Sequence, residues 1–363
     1  MSQVLKNLQL VTQSYSGTPS TGTGALFASG SALYFENATG TLFPLGTTGG
    51  GSGYLIVREY TGSAPGGGTL TYTWNNNSSI KYIQVICVGA GGGGGGNNAR
   101  NQNANMRGGS GGGGGAIAWG FFDSASLIQA SYPISVGAGG AGGAAVAVQT
   151  NTGNSGSTGE YTTFGGTMVS ASGGSGGAGA TNAAGTSTVA AGGLAINCLP
   201  GPGFAINGGP GAVGTTSGTS PNATSSFSTP LTPIGTSGGG ASWSLGSDGA
   251  VRSGSLGGSG FEWNTLKSNN TISSNSGSDN LVTAAVLLQF TSSILATTYG
   301  LGGGGNGVLT TVSTLNVSGS GGNGGLYGAG GAGATPLYSS TVGRFGSPGG
   351  SGSSGLCIVV EYY

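Results

Sequence analysis

The chain has 363 residues, of which 86 are glycine, only 4% are charged, and none is histidine; the formal net charge is zero. That much glycine argues against α-helix, because each interior glycine costs about 1 kcal/mol relative to alanine. Eight scattered basic residues offer no face for a run of phosphates, and a chain without histidine lacks the commonest metal ligand and general base and every Ser-His-Asp or Cys-His nucleophile.

The length allows two to three domains. Residues 1–53 are poorer in glycine than the stretch from residue 81 onward. Ala25–Ala28 and Leu33–Phe35 read as short strands, with turns at Ser29–Ser31 and Glu36–Gly40. Strands of this size cannot bury enough surface alone and need a partner. Gly46–Gly53 reads as a flexible linker. Residues 54–80 read as a β-hairpin connector: Tyr54–Tyr60, a Pro-Gly turn at Pro65–Gly68, then Leu70–Trp74, with Asn75–Ser79 as the next turn.

From residue 81 to 363 β-like runs alternate with glycine tracts. The runs include Tyr82–Val88, Ala116–Phe122, Tyr132–Val136 and Cys357–Tyr363. The tracts include Gly91–Gly96, Gly137–Gly143, Gly173–Gly179, Gly302–Gly305 and Gly328–Gly333, and several keep a three-residue beat. Glycine at this level without a strict period is ordinarily disordered. Here 36% of residues are hydrophobic and they cluster in β-like runs, which points to an ordered module. A polyproline-II-type helix has three residues per turn and no internal hydrogen bonds, so its N–H and C=O groups must bond to neighbouring helices. Only glycine permits that approach. The expected fold is mainly β with packed polyglycine-II helices: a short β-rich N-terminal attachment region, then a glycine-rich sandwich, with almost no α-helix.

The three cysteines, Cys87, Cys198 and Cys357, have no CxxC spacing and read as small buried hydrophobes. No metal site or cofactor is expected. No segment is apolar for long enough to span a bilayer; Leu281–Phe290 is too short. The N-terminus lacks the pattern of a secretory signal. A carboxylate pair drawn from Asp123, Glu160, Asp248, Glu262 and Asp279 has no local motif behind it.

Four segments resemble a family. Tyr82–Gly96 (YIQVICVGAGGGGGG) resembles the opening strand and first tract of phage glycine-rich tail modules. Leu127–Gly143 resembles their internal strand running into VGAGG, Tyr161–Gly177 their turn, strand and new tract, and Gly349–Tyr363 their closing strand. Gly22–Gly46 resembles a short N-proximal motif of phage fibre and virion proteins. The distal adhesin of T-even-like phages is similar in its packed glycine helices with exposed loops, although this chain adds its own N-terminal region. The resemblance implies a non-enzymatic virion protein, a tail fibre, spike or adhesin that binds a host-surface glycan or outer-membrane protein. It would be made in the host bacterial cytoplasm and carried on the tail or capsid. A capsid-attached head fibre or decoration protein, a polysaccharide-degrading tailspike and a bacterial surface protein are the competing readings.

In such a scaffold recognition sits in the loops. The amide-rich stretch contributes Asn97, Asn98, Arg100, Asn101, Asn103 and Asn105, and later stretches contribute Phe204, Trp243, Arg252, Phe261 and Trp263. Amides bond sugar hydroxyls, and aromatic faces cover apolar C–H patches. The competing role for the aromatics is packing over the lattice or at a subunit interface. Seven large apolar residues between Leu26 and Phe43 need covering, which drives association through residues 1–50 with other copies or other virion proteins. The resemblance makes a homotrimer the expected oligomer.

Overall fold

The structure, a computed structural model, describes residues 24–29, 32–37, 42–47, 55–97, 99–100, 108–146, 152–181, 189–198, 203–213, 236, 238–241, 244–245, 251–252, 260–262, 265–267, 320–325, 327–334, 337–338 and 347–363. Among these there is no helix recognised by internal hydrogen bonds. Strands β1 (Gly24–Ser29), β2 (Ala32–Asn37) and β3 (Leu42–Thr47) form an antiparallel meander. Strands β1 and β2 lie where the short apolar runs placed strands; β3 lies outside those runs, and its last two residues, Gly46 and Thr47, fall in the segment read as a linker.

Ten longer strands build a two-sheet sandwich. In chain order these are β4 (Leu55–Thr61), β5 (Leu70–Asn75), β6 (Tyr82–Val88) and, beyond the two-residue β7 (Ala99–Arg100), β8 (Ile117–Asp123) and β9 (Ser131–Val136). Then come β10 (Thr162–Phe164), β11 (Val169–Ala171), β12 (Ala195–Cys198) and β13 (Gly203–Ile206). Four short strands follow: β14 (Ser244–Leu245) with β15 (Val251–Arg252), and β16 (Gly260–Glu262) with β17 (Thr265–Lys267). Last come β18 (Leu337–Tyr338), parallel to β7, and the tenth sandwich strand, β19 (Leu356–Tyr362). One sheet has the order β12-β11-β10-β9-β5 and the other β13-β8-β6-β19-β4.

Period-2 alternation explains the core. Strand β6 places Ile83, Val85 and Cys87 between the sheets, and Ile86 and Val88 in a second apolar cluster on the outer face. The facing sheet contributes Trp74, Tyr132, Ile134 and Phe164. Trp74 lies 5.8 Å from both Tyr132 and Phe164, ring centre to ring centre. Each such side chain contributes about 1.5–3 kcal/mol on burial. Strand β19 is packed on both faces, which is why Leu356–Val360 reads as an unbroken apolar run.

Residues 54–80 do not form a hairpin. Strand β4 pairs with β19 in one sheet, and β5 pairs with β9 in the other. The intervening turn, with Gly66 at φ 74° and Gly68 at φ 80°, carries the chain from sheet to sheet. A tight Pro-Gly turn between two alternating runs signals reversal, but not which strand each run pairs with.

Most strands run end to end into a glycine tract. In the tract 89–97 successive N–H groups bond three different neighbours in rotation. Residues 89, 92 and 95 donate to 116, 113 and 110; residues 90, 93 and 96 to 160, 157 and 154; residues 91, 94 and 97 to 353, 350 and 347. The carbonyls of 90, 93 and 96 accept from 174, 177 and 180, those of 91 and 94 from 140 and 143, and those of 92 and 95 from 331 and 334. Bonds that turn through three directions every three residues, with none inside the tract, are the pattern of a threefold extended helix.

The six neighbours of this tract also bond one another in a closed ring. It runs 137–143, 153–160, 172–180, 108–116, 328–334, 347–355 and back to 137–143. Tract 108–116 is surrounded likewise, by 89–97, 172–180, 190–193, 208–212, residues 236 and 238–241, and 328–334. The packing is therefore hexagonal about two interior tracts. This explains a feature of the sequence. The interior tracts hold the unbroken runs Gly91–Gly96 and Gly111–Gly115, while surrounding tracts carry Ala, Ser or Asn on the triplet beat. A Cβ at Gly94 would collide with the Ala332 carbonyl, and one at Gly92 with that of Ser175. Within these unbroken runs the surrounding backbones leave no free side on which to place one. Gly302–Gly305 lies outside the described residues.

Candidate functional site

The rods give the module two different ends. At the sandwich tip lie the turns 76–81, 124–130 and 165–168, and Leu55, opposite Tyr362, where the chain enters from residues 1–53. At the other end, set by the bonds of 95–97 to 110, 154 and 347, the chain leaves the lattice after residues 97, 146, 181, 213, 241 and 334. The long insertions that break the glycine pattern mostly start there.

Two of these insertions are joined. Strands β7 and β18 pair with Ala99 opposite Leu337 and Arg100 opposite Tyr338. This brings Leu337–Tyr338 beside the amide-rich loop, a neighbour that sequence reading missed because 237 residues separate Arg100 from Tyr338. Thr152 and Thr181 form an isolated antiparallel bridge, tying a re-entry point of the chain to a further exit.

The residues singled out from sequence do not all gather here. Asn97 is fully buried and its N–H donates to the Ser347 carbonyl at 3.1 Å, so it ends the interior tract and does not face outward. Arg100 belongs to β7 at the loop end. Asn98, Asn101, Asn103, Asn105, Trp243 and Trp263 lie outside the described residues. Arg252 is on β15 opposite Ser244, and Phe261 is on β16 opposite Leu266. Phe204 sits in the sandwich, on edge strand β13 opposite Trp119, away from the loop end.

Asp123, Glu160 and Glu361 each accept hydrogen bonds within the fold. Asp123 ends β8 and accepts from the Ser126 N–H at 2.8 Å and its hydroxyl at 2.5 Å; the hydroxyl bond first, then the backbone bond, hold the carboxyl below its ordinary range. Glu160 accepts from the Thr69 hydroxyl at 2.6 Å and the Ala138 N–H at 3.1 Å. Asp123 is opposite Tyr82 at the sandwich tip, whereas Glu160 bonds Ala90 beyond the other end of β6. A seven-residue strand separates them, roughly 20 Å, too far for the about 5–10 Å of a glycosidase pair. Glu361 is buried and takes bonds from Trp74, Arg58 and Tyr363.

A groove of about 370 Å³ lies at the junction of sandwich and lattice, between Gly62–Pro65, Asn323–Gly325 and Gly352–Ser354. Its lining is uncharged, and Asn323 Oδ1 already accepts from the Ser351 N–H. Among the described residues no group of three His, Cys, Asp or Glu side chains could hold a metal, and no helix is long and apolar enough to cross a membrane.

No curated protein matches the chain. A model of the glycine-rich domain family matches residues 68–363, from the turn before β5 to the residue after β19. The chain belongs to the glycine-rich domain family.

Proposed function

We propose that the chain is a non-enzymatic bacteriophage virion protein of the tail-fibre or adhesin type, whose lattice-end loops bind a host-surface glycan or outer-membrane protein. The observation that carries this reading is the polarity of the module. Residues 1–53 join at the sandwich tip, and most of the long insertions leave from the opposite end. A rigid scaffold that separates its attachment point from its variable loops suits a receptor-binding tip. The sequence resemblance to phage glycine-rich tail modules supplies the biological setting. In this reading residues 1–50 bind other virion proteins and other copies of the chain, most simply as a trimer that covers the apolar residues of β1–β3.

Immunogold labelling tests the address. Antibody against residues 264–363 should decorate the tail or fibre tips of intact virions and block their adsorption. Labelling confined to host envelopes, with none on virions, would contradict the proposal.

A further inference from the structure

Cys87 and Cys357 are direct partners across β6 and β19, with their sulfurs 3.9 Å apart and both residues fully buried between the sheets. They are thiols in this structure. Residues directly opposite in an antiparallel pair have Cα atoms about 4.5–5.5 Å apart, inside the span a disulfide bridges. The positions join the opening strand of the glycine-rich module to its closing strand, 270 residues later.

We propose that Cys87 and Cys357 are a cross-strand disulfide site, oxidised by a low-molecular-weight disulfide of the glutathione type while β19 docks. The order of assembly provides access. Strand β19 fills the gap between β4 and β6, so before it docks Cys87 faces an open sheet and both thiols are reachable. One thiolate attacks the glutathione disulfide, forms a mixed disulfide and expels one glutathione thiolate. The second cysteine thiolate then attacks the protein-bound sulfur, forms the Cys87–Cys357 bond and expels the second glutathione. Two protein thiols are oxidised by two electrons, the glutathione disulfide is reduced by two, and the two protons pass to the glutathione thiolates. Once β19 is seated the bond lies in the core, out of reach of reductants. Closing so long a loop restricts the unfolded chain strongly. The inference is separate from the proposed function and concerns folding in an oxidising thiol–disulfide pool, since a reducing cytoplasm keeps both thiols reduced.

The test is refolding of the full chain in reduced and oxidised glutathione, alkylation in denaturant, digestion and mass spectrometry. The expected result is a peptide linking Cys87 to Cys357, two hydrogens lighter than the sum of its parts, with Cys198 alkylated. The oxidised protein should melt about 5–15 °C above the reduced one. Cys198→Ser should keep that difference and Cys357→Ser should lose it. Should the Cys357 variant not fold, the linked peptide in the unsubstituted chain still decides the matter. Full alkylation of Cys87 and Cys357 after oxidising refolding, or links to Cys198 in comparable yield, would overturn the proposal.

Discussion

The indole N–H of Trp74 donates to Oε1 of Glu361 at 2.6 Å, joining edge strand β5 of one sheet to inner strand β19 of the other. The Arg58 guanidinium bonds the same oxygen, and the Tyr363 hydroxyl bonds the other at 2.9 Å. One buried carboxylate therefore ties both sheets at the sandwich tip, and three donors offset its desolvation.

Glu361→Ala should destabilise the chain by about 2–3 kcal/mol. That is less than the loss of a fully buried pair, because the Arg58 side chain is 48% exposed and remains hydrated. Trp74→Phe keeps an aromatic ring but loses the indole N–H and the volume of its five-membered ring in the core, and should cost about 2–4 kcal/mol. Guanidinium unfolding of both variants, read at unchanged m-value, measures these effects. A loss below 0.5 kcal/mol in both, on the order of a surface change, would remove the carboxylate from the account of how the sheets are held.

Gly94→Ala should be far more damaging than its single methyl group implies. The added carbon meets the Ala332 carbonyl, and the surrounding ring of tracts leaves no direction of retreat. A loss of at least about 3 kcal/mol, or failure to fold, is expected. Ser155→Ala on an exposed position of tract 153–160 should change stability by less than about 0.5 kcal/mol. Thermal unfolding of the two variants side by side checks the contrast.

Backbone amides of Gly91–Gly96 should rank among the slowest to exchange with solvent, although an isolated glycine run is flexible. Each donates a bond of 2.8–2.9 Å to a neighbouring tract, so exchange requires the lattice to open. Hydrogen exchange followed by mass spectrometry reads this directly. Rapid exchange across 91–96 would identify the run as a linker.

Alkaline pH should weaken the fold through Tyr60. Burial, the largest influence, pushes its phenol above the ordinary value of 10.0, against the opposing pull of Arg58. Below pH 10 both folded and unfolded chains keep the proton and stability is unaffected. Above it the unfolded chain loses the proton first, so stability falls until the folded phenol ionises too. Tyr60→Phe should flatten this part of the curve, as read by tyrosinate absorbance and unfolding midpoints across the alkaline range.

Much of the architecture was legible in the residues. Period-2 runs located Tyr82–Val88 to the residue, and the other long strands to within a residue or so at each end. The triplet beat matches the rotation of the tracts' hydrogen bonds through three neighbours every three residues. What the beat concealed was rank: the unbroken runs Gly91–Gly96 and Gly111–Gly115 are interior because nothing but glycine fits on any side, and that follows only once six neighbours are counted. Pairing was not legible either. The partners β6 and β19, or Arg100 and Tyr338, are hundreds of residues apart, and no local pattern encodes such register. Asn97 and Phe204 read as loop residues by composition, yet the first ends an interior tract and the second lies in an edge strand.

Binding of the labelled full chain to host cells, compared between two replacements, tests the central claim of a polarised recognition module. One variant carries glycine-serine spacers of equal length in place of residues 98–107 and 335–346; the other carries one in place of the exposed sandwich-tip residues 128–130. Both should fold, since neither change touches the interior tracts or the core strands. The account predicts that the first variant loses cell binding while the second binds as the unaltered chain does. Undiminished binding by the first variant, with binding lost in the second, would place recognition at the sandwich tip and contradict it.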